Sequence, residues 1–187
     1  MNSRKIAAVS ALTALSIGSN YAMISLHNVK LMDLIVFVGG FCFGPVAGAL
    51  IGVFSWVIYG SLNPRGFLLP IWLATMFSEP IYGVVGGLVR RGVDPQEFKA
   101  FKQQQVNTSI FFGVVGLFLT FIYDLITNIV FGLVNNMSVL FAVIFGFATL
   151  GLIHMASNAF FFGIGCIPMI TAITRIIGGE NYEASKE

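Results

Sequence analysis

The sequence predicts an all-α membrane protein with six transmembrane helices and with its N- and C-termini in the cytoplasm. Its 187 residues are 57% hydrophobic and only 10% charged, and their mean hydropathy is +0.89. An average soluble domain is about 25% charged. The apolar residues come in long stretches, and a helix needs about 20 of them to cross a bilayer core about 30 Å thick. We therefore expect one membrane domain over residues 1–187.

The first helix is predicted over residues 5–24, preceded by Arg4 and Lys5. A signal peptide is the competing interpretation, because a basic start and a short apolar run also suit one. Small residues at helical spacing favour a retained helix, since such residues form packing faces between membrane helices. A short polar loop, HNVK, follows at residues 27–30.

The string GGFCFGPVAGALIG, residues 39–52, carries a ladder of glycines and one proline. Proline breaks a helix but is favoured at the first position of one, and glycine is favoured just past a helix end. We therefore predict a second helix over 31–43, a tight cytoplasmic turn at Gly44-Pro45 and a third helix over 46–62. Gly48 and Gly52 would give the third helix a flat face. The alternative is one helix that dimerises through its glycine stripe.

The second half of the chain predicts helices over 69–89, 107–134 and 149–177, with 138–148 as a lead-in at membrane depth. Counting charges supports six spans, because positive residues concentrate on the cytoplasmic side of membrane proteins. With an inside N-terminus, only Lys30 and Arg65 lie outside. The other eight basic residues lie inside: Arg4, Lys5, Arg90, Arg91, Lys99, Lys102, Arg175 and Lys186.

Three ionisable residues, Glu79, Asp124 and His154, lie within the predicted spans. Each costs about 2.5–3.5 kcal/mol to insert, so such groups usually face a cavity or a substrate path. At about 1.5 Å per residue, all three reach a similar level in the outer half of the bilayer. The sequence therefore predicts a ligand site shared by the last three helices.

Polar and aromatic neighbours at helical spacing extend this site. Thr127 and Asn128 share a face with Asp124, Asn158 shares one with His154, and Tyr82 and Trp72 flank Glu79. This combination suits a planar, nitrogen-containing, water-soluble ligand. Asn63 and Arg65, on the predicted outer loop, either gate the pocket or meet lipid headgroups.

A structural role is the alternative for each group. Buried polar residues often bond a neighbouring helix, a contact worth about 0.6 kcal/mol on average. Glu79 precedes Pro80 and could instead satisfy backbone groups freed at a kink.

Other functional classes find little support in the sequence. The net charge of +2 is small and the basic residues are scattered, which argues against nucleic acid. Cys42 and Cys166 are interpreted as small buried side chains, and two histidines are too few for a zinc enzyme, so we expect no metal and no cofactor. No GxSxG motif is present, and His154 and Ser157 share one helix, which argues against a serine hydrolase.

The string DLIVFVGGFCFGPVAGALIGVFSWVIYG resembles the S components of energy-coupling factor (ECF) vitamin transporters. Ala7-x-x-x-Ala11 matches that family's small-residue motif, and the strings YDLITN and HMASNAFFFG are also similar. The resemblance covers essentially the whole chain. It implies a substrate-binding subunit in a prokaryotic cell membrane that captures a vitamin or vitamin precursor from outside.

The resemblance also implies partners. An S component has no ATPase activity and docks on a transmembrane T component driven by two cytoplasmic ATPases. The absence of a GxxxxGK[ST] motif agrees with that division of labour. Ala7 and Ala11 would contact the T component, and helices one to three, with Gly48 and Gly52, would form the docking face.

Two further questions stay open at this level. A self-contained small channel or exporter, or a membrane scaffold protein, shares the same composition. Two acids against one histidine and one outer arginine favour a cationic or neutral nitrogen heterocycle, such as a thiamine precursor or a related pyrimidine. Flavin, pyridoxal compounds, biotin-like acids and cobalamin fragments remain alternatives.

Overall fold

The computed structural model describes residues 3–63, 66–92 and 102–178, and all regular secondary structure within these ranges is helical. The α-helices are α1 (Ser3–Ala22), α2 (Met32–Phe43), α3 (Pro45–Ser61), α4 (Leu69–Ser78), α5 (Pro80–Val89), α6 (Lys102–Val134), α7 (Val139–Gly146) and α8 (Leu152–Gly178). Only Glu79 separates α4 from α5, and a π-helical turn at Phe147–Gly151 joins α7 to α8. These segments therefore form six rods, and the all-α prediction is confirmed for the described residues.

The glycine ladder is divided between two helices, as the proline predicts. α2 ends at Phe43, and Pro45 occupies the first turn of α3. Gly44 between them has φ 97° and ψ 163°, a conformation essentially restricted to glycine. Its amide donates to the carbonyl of Gly40 at 2.8 Å and so closes the end of α2. The Gly44-Pro45 turn is confirmed, and the single-helix interpretation is wrong.

The remaining glycines of the ladder bring three backbones together. A Cβ atom on Gly48 would lie 2.5 Å from the Cα of Gly40 and 2.6 Å from the Cα of Gly83 in α5. Real Cβ atoms essentially never approach other atoms within 3.0 Å. Helices α2, α3 and α5 therefore pack more closely here than any side chain would permit.

Helix α2 lies at the centre of the bundle. Ten of its 12 residues, Met32 to Phe41, are buried, which agrees with its being apolar on all sides. α1, α3 and α5 pack around it, while α6 and α8 pair with each other, and α2 joins the two groups by contacting α8. Phe37 of α2 lies 5.9 Å from Phe112 of α6 and 5.1 Å from Phe162 of α8, measured between ring centroids. Because α2 is central, its first turn lies inside the protein.

Two helices differ from the sequence prediction at their ends. Residues 139–146, predicted as part of a lead-in, form α7 and continue through the π-helical turn into α8. α6 begins at Lys102 rather than at 107, so it extends into the hydrophilic stretch. Lysine and glutamine are good helix formers, which explains why the helix continues where the hydrophobicity has ended.

The surface is apolar in the manner of a membrane protein. Gln105–Val134 and Val139–Ile176 are long and apolar enough to cross a membrane, while α2 and α3 are shorter apolar helices. Large apolar side chains are exposed on several helices, including Phe54, Phe77, Phe118 and Phe160. A soluble monomer rarely exposes so extensive an apolar surface. The count of six spans and the cytoplasmic position of the termini stay predictions.

Candidate functional site

A histidine held between two aspartates lies at the centre of the polar interior. His154 of α8 is fully buried, and its Nε2 lies 2.7 Å from Oδ2 of Asp33 in α2. Its Nδ1 lies 2.9 Å from Oδ1 of Asp124 in α6. Both ring nitrogens donate at once only when the imidazole is protonated. The arrangement joins three helices, and both contacts are charge-assisted hydrogen bonds when the imidazole carries its second proton.

Asn158, one turn after His154, extends the network towards α5. Its Nδ2 donates to Oδ2 of Asp33 at 2.6 Å and to the hydroxyl of Thr120 at 2.7 Å. The hydroxyl of Tyr82 donates to the same Thr120 oxygen at 3.0 Å. Thr120 in turn donates to the carbonyl of Gly116 at 2.7 Å. Four helices thus contribute to one continuous buried network.

Glu79 lies where α4 meets α5, and its carboxylate is fully buried. Oε2 accepts a hydrogen bond from Nε1 of Trp56 at 3.0 Å, rather than from the backbone near Pro80. The Glu79 and Asp33 side chains also interact electrostatically. Gly52 makes room for this acid, since a Cβ there would lie 3.2 Å from the Glu79 Cγ. Glu79 therefore belongs to the same polar region as His154.

Several acceptor atoms of this region have no hydrogen-bond partner among the described residues. They are Oδ1 of Asp33, Oε1 of Glu79, Oδ2 of Asp124, Oδ1 of Asn158 and the hydroxyl of Tyr123. Most buried polar atoms in proteins are paired, and each exception needs an explanation. A ligand rich in hydrogen-bond donors would satisfy them. We call the set formed by Asp33, Glu79, Tyr123, Asp124, His154 and Asn158 the acidic site.

A loop over residues 23–31 covers one side of the acidic site. Its Asn28 has φ 57° and donates from Nδ2 to the carbonyl of Leu150 in the π-helical turn, at 3.0 Å. The Lys30 ammonium lies 4.9 Å from the ring centroid of Tyr123 and 5.6 Å from that of Trp56. A small cleft under this loop encloses about 40 Å³ and is lined by Asn20, Met23, Ile24, Leu26, Asn28, Val29, Lys30 and Tyr59.

The structure brings five of the ten predicted ligand residues together. Asp124, His154, Asn158, Glu79 and Tyr82 lie in one connected region, through the contacts described above. Their role as ligand contacts stays a prediction.

Trp72 is one contact further away. Its Nε1 donates to the carbonyl of Trp56 at 3.0 Å, and its ring fills the space left by Gly60. It therefore supports Trp56, which itself bonds Glu79.

Two predicted residues of α6 contact the backbone of their own helix or of α7. The Thr127 hydroxyl donates to backbone carbonyls of its own helix, at 3.0 Å to Tyr123 and 3.2 Å to Asp124. The Asn128 amide packs against Gly146 of α7, where an added Cβ would overlap it. Asn128 therefore fits the alternative of interhelical packing. The roles of Thr127 and Asn128 as ligand contacts stay predictions.

One of the two predicted gate residues lies within the described part of the chain. Asn63 is half-buried there, just beyond the end of α3. Arg65 lies outside the described residues, so its proposed gating role stays a prediction.

Asp33, like Tyr123, is a residue of the acidic site that the sequence analysis missed. It stands two residues after Leu31 in a polar-to-apolar transition, where an acid normally marks an exposed first turn of a helix. The useful signal was the length of α2, which has 12 residues and cannot cross a bilayer core alone. A short central helix must begin inside the bundle, and its first-turn acid is then buried.

The predicted docking residues divide into two groups. Ala7 and Ala11 are exposed on α1, together with Ala14 and Gly18, whereas Val9 and Leu12 of the same helix are buried. Gly48 and Gly52 are buried against α5 and the α4–α5 junction. Internal backbone contacts cover both glycines, and their assignment to a partner-docking face stays a prediction.

Comparison with known proteins assigns the chain to a family. The family model described as ECF transporter, substrate-specific component, matches residues 4–178. No curated protein and no solved structure gives a significant match.

Proposed function

The chain belongs to the family of ECF transporter substrate-specific components, and from this premise we propose that it captures a small water-soluble vitamin or vitamin precursor outside the cell. It is a transport-binding subunit by family rather than an enzyme. In our proposal the acidic site binds the ligand, and the subunit delivers it through a T component and two cytoplasmic ATPases.

The observation that carries this proposal is the buried His154 between Asp33 and Asp124, with unpaired acceptors around it. Burying polar groups without partners costs about 1–3 kcal/mol each in proteins. A purely structural network would be expected to satisfy its members. A binding site instead retains unpaired groups, because the ligand completes them.

The depth of the acidic site is consistent with access from the predicted outer side. Asp124 lies ten residues before the end of α6, about 15 Å at the helical rise. The loop over residues 23–31 lies at the same end of the bundle and contacts the π-helical turn. The charge distribution in the sequence predicts that this end lies outside the cell. A ligand would therefore enter beside this loop.

The proposed partner face lies on α1. Ala7 and Ala11 are exposed and lack bulk, so a second helix could approach α1 closely along them. We infer that the T component binds here and that the multi-pass subunit resides in a prokaryotic plasma membrane, with lipid around its apolar surface.

The first experiment is a thermal-shift screen of the purified protein against water-soluble vitamins and their precursors. A ligand at about 100 times its dissociation constant stabilises the folded state by about 2.7 kcal/mol, which is readily measured. We expect one chemical class to raise the melting temperature. The Asn135→Ala variant is a control that should show the same shift as the wild type, since Asn135 is exposed and its side-chain amide donates to the carbonyl of Phe131 in its own helix turn.

The second experiment is co-purification with a T component and both ATPases from the same genome. A stable complex is expected. If no ligand class binds and no complex forms, the proposal is wrong. Ion flux through the isolated chain in liposomes would instead support the channel alternative.

A further inference from the structure

The Lys30 ammonium occupies an unusual position for a lysine on a loop. It lies within 6 Å of the ring centroids of both Trp56 and Tyr123, at 5.6 and 4.9 Å. Two aromatic rings around one cation form the kind of cage that recognises ligand ammonium groups. Trp56 and Tyr123 are themselves buried, with exposed fractions of 7% and 3%. The cage is therefore part of the interior rather than of the surface.

Acidic groups stand behind this cage. The Lys30 charge interacts electrostatically with the carboxylates of Asp33 and Glu79. One buried oxygen of Asp33 and one of Glu79 accept no hydrogen bond from an N–H or O–H of the described residues, although the two carboxyls share a hydrogen bond when one of them is protonated. The hydroxyl of Tyr123 also has no partner among the described residues. Aromatic faces and carboxylates both attract positive charge. This corner of the acidic site is therefore complementary to a cation.

We propose that Trp56 and Tyr123, with Asp33 and Glu79 behind them, form a subsite for a positively charged nitrogen, which Lys30 fills until a cationic ligand displaces it. The inference rests on the proposed function and deepens it, because it names an organic cation as the ligand class. It also assigns Lys30 the role of a tethered occupant.

Lys30 is suited to leaving the subsite. It is half-buried and lies on the loop over residues 23–31 rather than within a helix. Lysine carries a compact, strongly hydrated charge on a flexible stem, so its head returns readily to water. The cleft beside it encloses about 40 Å³, little more than the volume of one water molecule. Pockets for organic ligands usually hold about 300 Å³ or more, so this cleft in its present form is too small for one.

The test compares a cation with its neutral isostere. 1-Methylnicotinamide is a planar cation, and 3-methylbenzamide has the same shape with carbon in place of the charged nitrogen. Choline and 3,3-dimethylbutan-1-ol form a second, non-planar pair. Binding of each probe to the full chain is measured by tryptophan fluorescence and by calorimetry, at low and high ionic strength.

The variants are Lys30→Gln, which removes the tethered cation, and Lys5→Gln, which removes the same charge from the exposed start of α1. We expect Lys30→Gln to tighten binding of at least one cation by about tenfold, the order of one desolvated cation–π contact. Binding of the neutral isosteres should not tighten, and Lys5→Gln should bind each probe with the affinity of the wild type. The gain should persist at high ionic strength, since contact interactions are screened less than distant ones.

Three results would overturn the inference. In the first, Lys30→Gln weakens cation binding, which would make Lys30 a ligand contact. In the second, the tighter cation binding of Lys30→Gln disappears at high ionic strength, or it persists when Trp56→Leu is added to Lys30→Gln. Either outcome would make the tighter binding a general effect of charge. In the third, no cation binds either protein. If a neutral or anionic vitamin binds and the complex with the T component still forms, the proposed function stands while this inference fails.

Discussion

Asp33 and His154 are 121 positions apart in the sequence, yet Oδ2 of the aspartate lies 2.7 Å from Nε2 of the histidine inside the bundle. Both side chains are fully buried. This contact joins α2 to α8 and thereby connects the two groups of helices. It makes the stability of the fold depend on residues that we also assign to ligand binding.

We expect His154→Ala to destabilise the protein by about 3–5 kcal/mol, because it leaves two buried carboxylates without their partner. Adding Asp33→Asn removes one of those charges. The double variant should therefore lose less stability than the two single variants summed. Thermal and denaturant unfolding in detergent measure the three changes. Additive losses would show that Asp33 and His154 are not coupled.

Asn158 and Asn128 offer a matched pair of substitutions. Asn158 bonds Asp33 and Thr120, whereas Asn128 packs against Gly146. We expect Asn158→Ala to weaken ligand binding by about tenfold or more, as for the loss of a hydrogen bond to a charged group. Asn128→Ala should bind normally. Calorimetry with the ligand found in the screen measures both, and equal losses would favour the sequence-based grouping.

Gly48 lies where α2, α3 and α5 meet, so its replacement should cost much more stability than replacement of Gly18 in α1. Gly48→Ala forces a Cβ against the backbones of Gly40 and Gly83, so we expect a loss of about 1–3 kcal/mol or more. Gly18→Ala has nothing within 4 Å of its Cβ. It should be neutral or stabilise by up to about 1 kcal/mol, through helix propensity. Melting temperatures of the two variants test this contrast, which would fail if both behaved alike.

The exposed alanines of α1 predict a separation of assembly from ligand binding. Ala7→Leu combined with Ala11→Leu should prevent co-purification with the T component, because the leucines hold an approaching helix away. The ligand-induced thermal shift should be unchanged. Ala172→Leu is the control, since Ala172 is an exposed alanine of α8, away from α1. Normal assembly of the double variant would remove α1 from the docking face.

Local rules predicted much of the fold. Gly44 and Pro45 define the turn because both act on the backbone directly. The shared level of Asp124 and His154 followed from counting helical residues, and they indeed lie 2.9 Å apart. The direction in which Asn128 points was beyond such counting, since it depends on where α7 packs. α7 itself was missed because hydrophobicity alone does not distinguish a lead-in from a helix.

Asp33 shows that the residues next to a polar group in the sequence do not always predict whether that group is buried. Its neighbours in the sequence suggest a helix start near water, and only the central position of α2 buries it. The same limit applies to Trp56 and Lys30, whose proximity depends on how the loop over residues 23–31 folds back. Tertiary packing, rather than periodicity, decides these contacts.

The π-helical turn gives the entrance loop a mechanical connection to the centre of the bundle. Leu150, whose carbonyl accepts the hydrogen bond from Asn28, lies one helical turn before His154 on the same rod. Wider helical turns of this type are common at functional sites. Lifting the loop to admit a ligand would break this bond, which lies one helical turn from the histidine.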